Sequence, residues 1–164
     1  MATNRYALSD YILTIKLPDN NQELLEKSGL STTQFSIGGP GQNGLDGSFI
    51  GSITVKRNGS VWSTEGDATG SWVHSKNLNR TGQVNLDINQ VSDDVLRLAM
   101  LCNAYESIQD AVPGLSIIIT SAADVNNKVA TCTDCYITEI PDHKFGEKAA
   151  DYSWTFTCGR VMFY

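Results

Sequence analysis

The chain has 164 residues and a mass of 17.9 kDa, the size of one domain that can bury a core without metals or disulfides. Only 18% of its residues are charged, and 12 basic residues against 18 acidic ones leave a net charge of −6. This balance disfavours a protein that binds nucleic acid by neutralising phosphates. The low charge also favours a chain whose surface is partly covered by other subunits.

No targeting or membrane-spanning pattern stands out. Residues 1–5 lack the apolar segment of a signal peptide, and the longest aliphatic run, Ile117-Ile118-Ile119, is far too short to cross a bilayer. We therefore predict synthesis in a cytoplasm and no association with a membrane.

Strand patterns dominate the chain from residue 11 onward. Residues 11–17 read as a first strand, and residues 48–57 alternate between apolar and polar except at Ile50. An Asn58-Gly59 turn follows, and residues 82–89 alternate cleanly. The other predicted strands are 35–37, 61–63, 71–78, 115–120, 129–140 and 152–163.

The period changes at Ser92, a good helix N-cap that is followed by two aspartates in the first turn. We predict one principal helix over about residues 92–107, and at most a short helical turn at 22–28. From Val95 to Tyr105 only Arg97 and Asn103 are polar. A surface helix shows one apolar stripe, so we expect a second element, such as another subunit, to cover the rest.

These elements predict a mainly β fold, an antiparallel β-sandwich or barrel with one principal α-helix. Residues 1–164 form a single domain in this interpretation. It carries an N-terminal arm, residues 1–10, and a glycine-rich loop, residues 38–47. Glycine-rich segments cost entropy to order, so we expect both to become ordered only against a partner.

The four cysteines are Cys102, Cys132, Cys135 and Cys158. Cys132 and Cys135 form a C-x-x-C pair, but within a predicted strand residues i and i+3 point to opposite faces. We therefore predict no zinc site and no redox pair, and expect reduced, mostly buried thiols.

Nothing in the sequence predicts an enzyme or a bound cofactor. Gly39 to Gly44 matches G-x-G-x-x-G, but a strand follows where a dinucleotide site needs a helix. His74 and His143 are the only histidines, and no nucleophile motif accompanies them. Trp62, Trp72 and Trp154 could form a sugar-stacking platform, although core or interface aromatics are favoured.

Residues 52–104 carry a recognisable order of motifs. A strand, Ile53-Thr54-Val55-Lys56-Arg57, leads into the Asn-Gly turn and Trp62, and a Gly82-Gln83-Val84-Asn85-Leu86 strand follows. Gln90 and Ser92-Asp93-Asp94 then introduce the Leu-rich helix. This stretch resembles the tail tube proteins of contractile-tailed bacteriophages. That family tends to have Ser-Pro-Ser-Asn ahead of the helix, which this chain lacks.

The resemblance implies a structural virion protein of the phage tail, assembled in the host cytoplasm. Subunits would form rings of six that stack into a hollow tube lined by joined sheets. Genome DNA would pass through without specific binding. The implied partners are further copies of the chain and the tail sheath, baseplate, tape-measure and tail terminator proteins.

Three sets of residues are candidates for these contacts. For the helix at a subunit interface they are Val95, Leu96, Met100 and Tyr105, where Leu96 and Met100 should lie nearer the neighbour. For contacts between rings they are Gly38, Gly39, Pro40, Gly41, Gln42, Asn43 and Gly44. For the channel lining they are Gln83, Asn85, Asp87 and Asn89, which alternate with apolar residues; this face could equally meet the sheath or solvent.

Two alternatives stay open. A tube subunit of a related contractile injection or secretion machine would share the same fold and logic. A carbohydrate-binding β-sandwich would instead use its tryptophans.

Overall fold

A computed structural model describes residues 11–18, 22–30, 32–38, 50–90, 92–108, 112–121 and 126–164. Strands make up just over half of the residues that the structure describes. The elements are β1 Tyr11–Lys16, α1 Gln22–Ser28, β2 Gln34–Gly38, β3 Ile50–Arg57, β4 Trp62–Gly66, β5 Trp72–Lys76, β6 Gly82–Asn89, α2 Asp93–Ser107, β7 Leu115–Ser121, β8 Lys128–Glu139 and β9 Asp151–Phe163.

Seven strands form one antiparallel sheet in the order β2-β1-β7-β8-β9-β6-β3, and β4 and β5 form a separate two-stranded ribbon. The alternation in the sequence places apolar side chains on one face of the large sheet. In β6, for example, Val84, Leu86 and Ile88 are fully buried. The expected mainly β, antiparallel fold with one principal helix is confirmed.

The core lies between this face and α2. Trp154 and Phe156 of β9 are fully buried, as are Leu98 and Leu101 of the helix. The Ser92 hydroxyl accepts a hydrogen bond from the Asp94 backbone N–H at 3.3 Å, so the predicted N-cap is confirmed.

A second, short helix covers more of α2 than the sequence suggested. Lys27 of α1 donates from Nζ to the Ser107 carbonyl at 3.2 Å, and the side chain of Met100 lies over Gly29 just after α1. Much of the apolar excess of α2 is therefore covered within the same chain, by the sheet and by α1. We expected the sheet alone to cover α2 on one side, and did not foresee that α1 covers a second side.

Two breaks in the alternation are β-bulges. Ile50, the exception in its strand pattern, lies opposite Ile88, and the register shifts between Ile50 and Ser52. In β8 the register against β7 shifts where Leu115 faces Cys135 and Ile117 faces Cys132, so three steps on β8 oppose two on β7. Asp134, inside this bulge, has a left-handed φ of 55°.

The β8 bulge overturns one prediction. Cys132 and Cys135 were expected on opposite faces of a regular strand, but both point into the core, with 1% and 0% of their surface exposed. The bulge inserts one extra residue between the two cysteines, so the side-chain alternation is shifted by one and Cys135 faces the same side as Cys132. All four cysteines are buried, as expected, and the structure holds them as free thiols.

Candidate functional site

The candidate residues of α2 divide into buried and open positions. Val95 is buried in the core of the chain's own fold, and Met100 and Tyr105 are half-buried. Leu96, a large apolar side chain in the first turn of α2, is 64% exposed. Of the four candidates on this helix, Leu96 therefore offers the most apolar surface to a partner.

Tyr105 is positioned at the C-terminal half of α2 by two contacts. Its hydroxyl donates to the Pro113 carbonyl at 2.9 Å, and its ring meets that of Tyr136 edge-on at 5.9 Å between centroids. Burial, with the nearby Tyr136 and Asp134, raises the pKa of Tyr105 well above its usual value. The phenol therefore stays neutral and acts as a fixed hydrogen-bond donor.

A shallow cleft of about 460 Å³ opens beside this tyrosine pair, between α2 and the end of β8. The cleft is mostly apolar, and Ile140 at its rim is 50% exposed. Its lining residues are Cys102, Tyr105, Glu106, Val112, Tyr136, Ile137, Thr138 and Ile140. Leu96 and this cleft are thus two separate open apolar areas along α2.

The four candidate channel residues of β6 lie on the face opposite the core. Gln83, Asn85, Asp87 and Asn89 are all half-buried, while the residues between them are fully buried. Neighbouring strands extend this face into rows: Thr54 and Thr155 flank Asn85, and Ser52 and Ser153 flank Asp87. We call the β3–β6–β9 surface built by these rows the polar face.

Hydrogen bonds connect side chains across the polar face. The Ser52 hydroxyl donates to Asp87 Oδ2 at 2.8 Å, and Ser153 donates to Asp87 Oδ1. Thr155 Oγ1 donates to Asn85 Oδ1 at 3.0 Å. Asp87 is thus held by two hydroxyls and Asn85 by one, so the face is both polar and orderly.

The ribbon formed by β4 and β5 is a feature that the sequence interpretation missed. All ten residues of the two strands are exposed, and Trp62 and Trp72 are 55% and 67% exposed. The register pairs Trp62 with Lys76, Thr64 with His74, and Gly66 with Trp72. Paired residues share a face, so both tryptophans lie on one face of the ribbon, which we call the tryptophan face.

Local hydrogen bonds hold the ribbon in shape. His74 Nδ1 bonds Thr64 Oγ1 at 2.8 Å across the two strands. At the tip, Asp67 Oδ1 accepts from the Thr69 hydroxyl at 2.6 Å and from the Ser71 backbone N–H at 3.0 Å. The sequence signal for a separate ribbon was the lack of any alternating apolar row between residues 58 and 81.

The remaining candidates divide between the described and the undescribed parts of the chain. The arm at residues 1–10 and the loop from residue 39 lie outside the described residues, and Gly38 is seen as the last residue of β2, opposite Ile12. Trp154 is fully buried, so it cannot join a surface platform with the other two tryptophans.

His143, like His74 in the ribbon, bonds to a neighbouring residue of the fold. His143 Nδ1 lies 3.0 Å from the Pro141 carbonyl, and its ring packs against Tyr152. Across the described residues, no group of three or more His, Cys, Asp or Glu side chains is arranged to hold a metal ion. In that same part of the chain, no helix has the length and apolar character needed to cross a membrane.

Two solved structures share the fold along the whole chain. The tube-terminating cap of the anti-feeding prophage matches with a TM-score of 0.53 and 12% identity, over 100% of this chain and 93% of that one. The sheath/tube terminator, in the extended state, of the extracellular contractile injection system PVC matches with a TM-score of 0.56 and 12% identity, over 100% of this chain and 99% of that one. At this identity the likeness establishes the fold.

Sequence comparison is more specific. No curated protein sequence matches the chain significantly. A family model described as the bacteriophage PhiTE tail tube protein matches residues 30–163, which is most of the chain. That family is one of structural tube proteins and not of enzymes, in agreement with the absence of a predicted catalytic motif. The chain therefore belongs to the bacteriophage PhiTE tail tube protein family.

Proposed function

We propose that this chain assembles with copies of itself into rings, six subunits to a ring, that stack as the inner tube of a phage tail and carry DNA to the host. The observation that supports self-assembly best is the ribbon of β4 and β5, which stands apart from the large sheet with all ten strand residues exposed. In this proposal residues 1–164 act as one domain.

A free ribbon of this kind is a poor structure for a monomer. Two-stranded hairpins are marginally stable in water unless one face packs on something. The tryptophan face exposes two of the side chains that contribute most strongly to interfaces. A neighbouring copy that covered Trp62 and Trp72 would stabilise the ribbon and bury both rings, so the ribbon fits a contact between subunits.

The α2 side supplies a second surface for assembly. Leu96 and the cleft beside Tyr105 are apolar and open in the single chain. We propose that Leu96 and Met100 face the neighbouring subunit within a ring, with Tyr105 at the edge of that contact and Val95 supporting it from the core. The glycine loop, Gly38 to Gly44, and the arm at residues 1–10 remain our candidates for contacts between rings.

The charge of the polar face suits the lining of a channel through which DNA passes rapidly. Within its described rows Lys56 is the one cation, against the carboxylates of Asp87 and Asp151. A basic lining would bind phosphates at every ring and delay passage, whereas a neutral to acidic lining leaves DNA free to slide. We propose that Gln83, Asn85, Asp87 and Asn89 line this channel.

Other tail proteins follow from the same proposal. The solved terminator with the same fold is described as a sheath/tube terminator, which supports a sheath around the tube and a terminator at its end. We propose the baseplate and a tape-measure protein as the remaining partners, and assembly of the tail in the host cytoplasm before release of the virion.

A tube subunit of a contractile injection machine is the second candidate. It is favoured by the two solved structures, which come from an anti-feeding prophage and an extracellular contractile injection system. Both candidates predict rings and tubes. Particles isolated from the producing cell distinguish them, because a phage tail is joined to a DNA-filled head and an injection machine is not.

Variants of the ribbon test self-assembly. We expect the purified wild type to form rings or tubes by negative-stain electron microscopy, and Trp62→Ser with Trp72→Ser to stay monomeric by analytical ultracentrifugation. Val73→Thr, on the opposite face of the same ribbon, is the matched control and should assemble. A wild type that remains monomeric at high concentration, or a double variant that assembles normally, would count against the proposal.

A further inference from the structure

Three buried thiols meet between β8 and β9 at the β8 bulge. Cys132 and Cys135 come from β8 and Cys158 from β9, and none is more than 1% exposed. The Sγ atoms of Cys135 and Cys158 lie 2.9 Å apart. Cys132 and Cys158 are also in hydrogen-bond contact. Cys158 is therefore the central member of the cluster, with one thiol of β8 on either side.

The backbone selects one pair from the three thiols. Cys135 lies directly opposite Cys158 in the β8–β9 register, whereas Cys132 lies opposite Val161. Directly opposed residues of antiparallel strands have Cα atoms about 4.5 to 5.5 Å apart. Disulfides join Cα atoms that are about 4.4 to 6.8 Å apart. The Cys135–Cys158 pair satisfies this requirement without any movement of the strands.

We propose that Cys135 and Cys158 are a latent disulfide, held as thiols during assembly and oxidised after the particle leaves the cell. The reducing cytoplasm keeps thiols free, and an extracellular medium does not. The proposal rests on the proposed assembly in a cytoplasm and release of the particle, and it is independent of ring symmetry and of the channel lining.

A small peroxide is a suitable oxidant, because its size lets it enter a packed core. The Cys158 thiolate attacks one oxygen of hydrogen peroxide, the O–O bond breaks, and a sulfenic acid and one water form after proton transfer. The Cys135 sulfur then attacks the sulfenic sulfur, the S–O bond breaks, and the disulfide forms as a second water leaves. Two thiols and one peroxide thus give one disulfide and two waters.

The surroundings make this reaction slow, which is what a latent bond requires. The hydrogen bond from Cys132 lowers the pKa of Cys158, but the hydrogen bond with Cys135 and burial outweigh it and raise that pKa to about 12. Since the thiolate is the reactive form, little of it exists at neutral pH. The donation from Cys132 nevertheless makes Cys158 the thiol that is helped to ionise.

Oxidation should tie the two longest strands, β8 and β9, together at the β8 bulge. The bond would close a loop between residues 135 and 158, which restricts the unfolded chain, and the midpoint of thermal unfolding should rise by about 6 to 12 °C. Treatment with a thiol reductant should reverse the rise. Because both thiols are already in place, the oxidised chain should assemble as the reduced chain does.

Peptide mapping of the wild-type full chain tests the pairing directly. The reduced protein is incubated with hydrogen peroxide, and its intact mass should fall by about 2 Da. The remaining thiols are then blocked before digestion. Digestion with trypsin and Asp-N separates the two thiols of β8, because Asp134 lies between them. The expected product is a linked pair of peptides, 134–141 and 151–160.

Single variants provide the matched controls. Cys132→Ser should still lose about 2 Da on oxidation and show the same rise in the unfolding midpoint. Cys135→Ser should show neither change. A link through Cys132 in the wild type would overturn the proposal. So would oxidation that yields only sulfinic acids, or a disulfide whose reduction leaves the unfolding midpoint unchanged. The wild-type map decides the pairing even if a variant folds poorly.

Discussion

Gly29 and Met100 meet where α1 ends and α2 passes over it. A Cβ built on Gly29 would lie 2.8 Å from Met100 Cε, and Gly29 has a left-handed φ of 68°. Glycine is the residue that adopts this conformation without strain at the end of a helix. This contact helps to set how α1 covers α2, and so how much of α2 would be open to the proposed neighbouring subunit.

Gly29→Ala should lower the free energy of unfolding by about 1 to 2 kcal/mol, mainly through the strained φ, since the flexible end of Met100 can move aside. Chemical denaturation of the purified chain measures the change. Gly146→Ala is the control, because a Cβ there meets nothing within 4 Å and its backbone is ordinary. Equal stability of the two variants would contradict this account of the α1–α2 contact.

Leu96→Asp should prevent ring formation while lowering the unfolding free energy of the monomer by less than about 1 kcal/mol, as is usual for an exposed position. Leu96 is 64% exposed in the single chain, so its loss would remove the proposed contact between subunits and little of the core. Asn103→Asp, also exposed on α2, adds the same charge and should leave rings intact. If Leu96 is open to solvent in the assembled particle, this assignment is wrong.

Deletion of residues 39–43 should leave the fold intact and stop rings from stacking. The prediction rests on the entropy cost of ordering a glycine-rich segment, which a contact between rings would offset. Circular dichroism reports the fold, and electron microscopy separates single rings from tubes. A variant with the same five positions replaced by other small residues controls for length. Normal tubes from the deletion variant would rule out this role for the loop.

Gln83→Lys should make assembled tubes retain DNA. It adds a cation to every copy beside Lys56, its cross-strand neighbour on the polar face. Since phosphate contacts dominate DNA affinity, retention should fall steeply as salt rises. Gln83→Glu is the control and should retain no more DNA than the wild type. Similar retention by both variants would indicate that the polar face lies away from the channel.

Acid should loosen the tip of the ribbon. Hydrogen bonds from the Thr69 side chain, and then from the Ser71 and Thr69 backbones, lower the pKa of Asp67 below its usual value. A lowered folded-state pKa means that the stabilisation is present above the unfolded value and is lost as pH falls through the folded one. Protection of the Ser71 amide against hydrogen exchange, relative to its intrinsic rate at each pH, should therefore fall as pH drops below the ordinary aspartate pKa of about 3.9. Asp67→Ala should remove this dependence.

Much of the fold follows from local patterns in the sequence. The alternation of residues 82–89 predicted β6, and Ser92 with its aspartates predicted the start of α2, because these signals depend on near neighbours. The bulge at Asp134 does not follow from a local pattern, because it depends on how β8 packs against Gly114. A Cβ on Gly114 would lie 2.7 Å from the Asp134 backbone. The separate ribbon depends on which strands pair, and a strand pattern leaves pairing open.

The candidate surfaces were harder to predict than the fold. Leu96 was singled out because α2 carried too many apolar residues for one face, and the structure leaves it exposed. The cluster of Cys132, Cys135 and Cys158 was missed because its thiols are brought together by a bulge, which no strand period reveals. Trp62 and Trp72 were expected to be core or interface aromatics, but their shared exposed face was not predicted, because it depends on the pairing of β4 with β5.

A cryo-electron microscopy reconstruction of the assembled wild-type protein tests the central claim most directly. Our account predicts stacked six-membered rings in which a neighbouring copy covers Trp62 and Trp72 and the polar face lines the channel. It also predicts that lumen-facing Asp and Glu at least equal Lys and Arg in number. A protein that forms no rings under any condition, or a channel lined with an excess of Lys and Arg, would contradict the account.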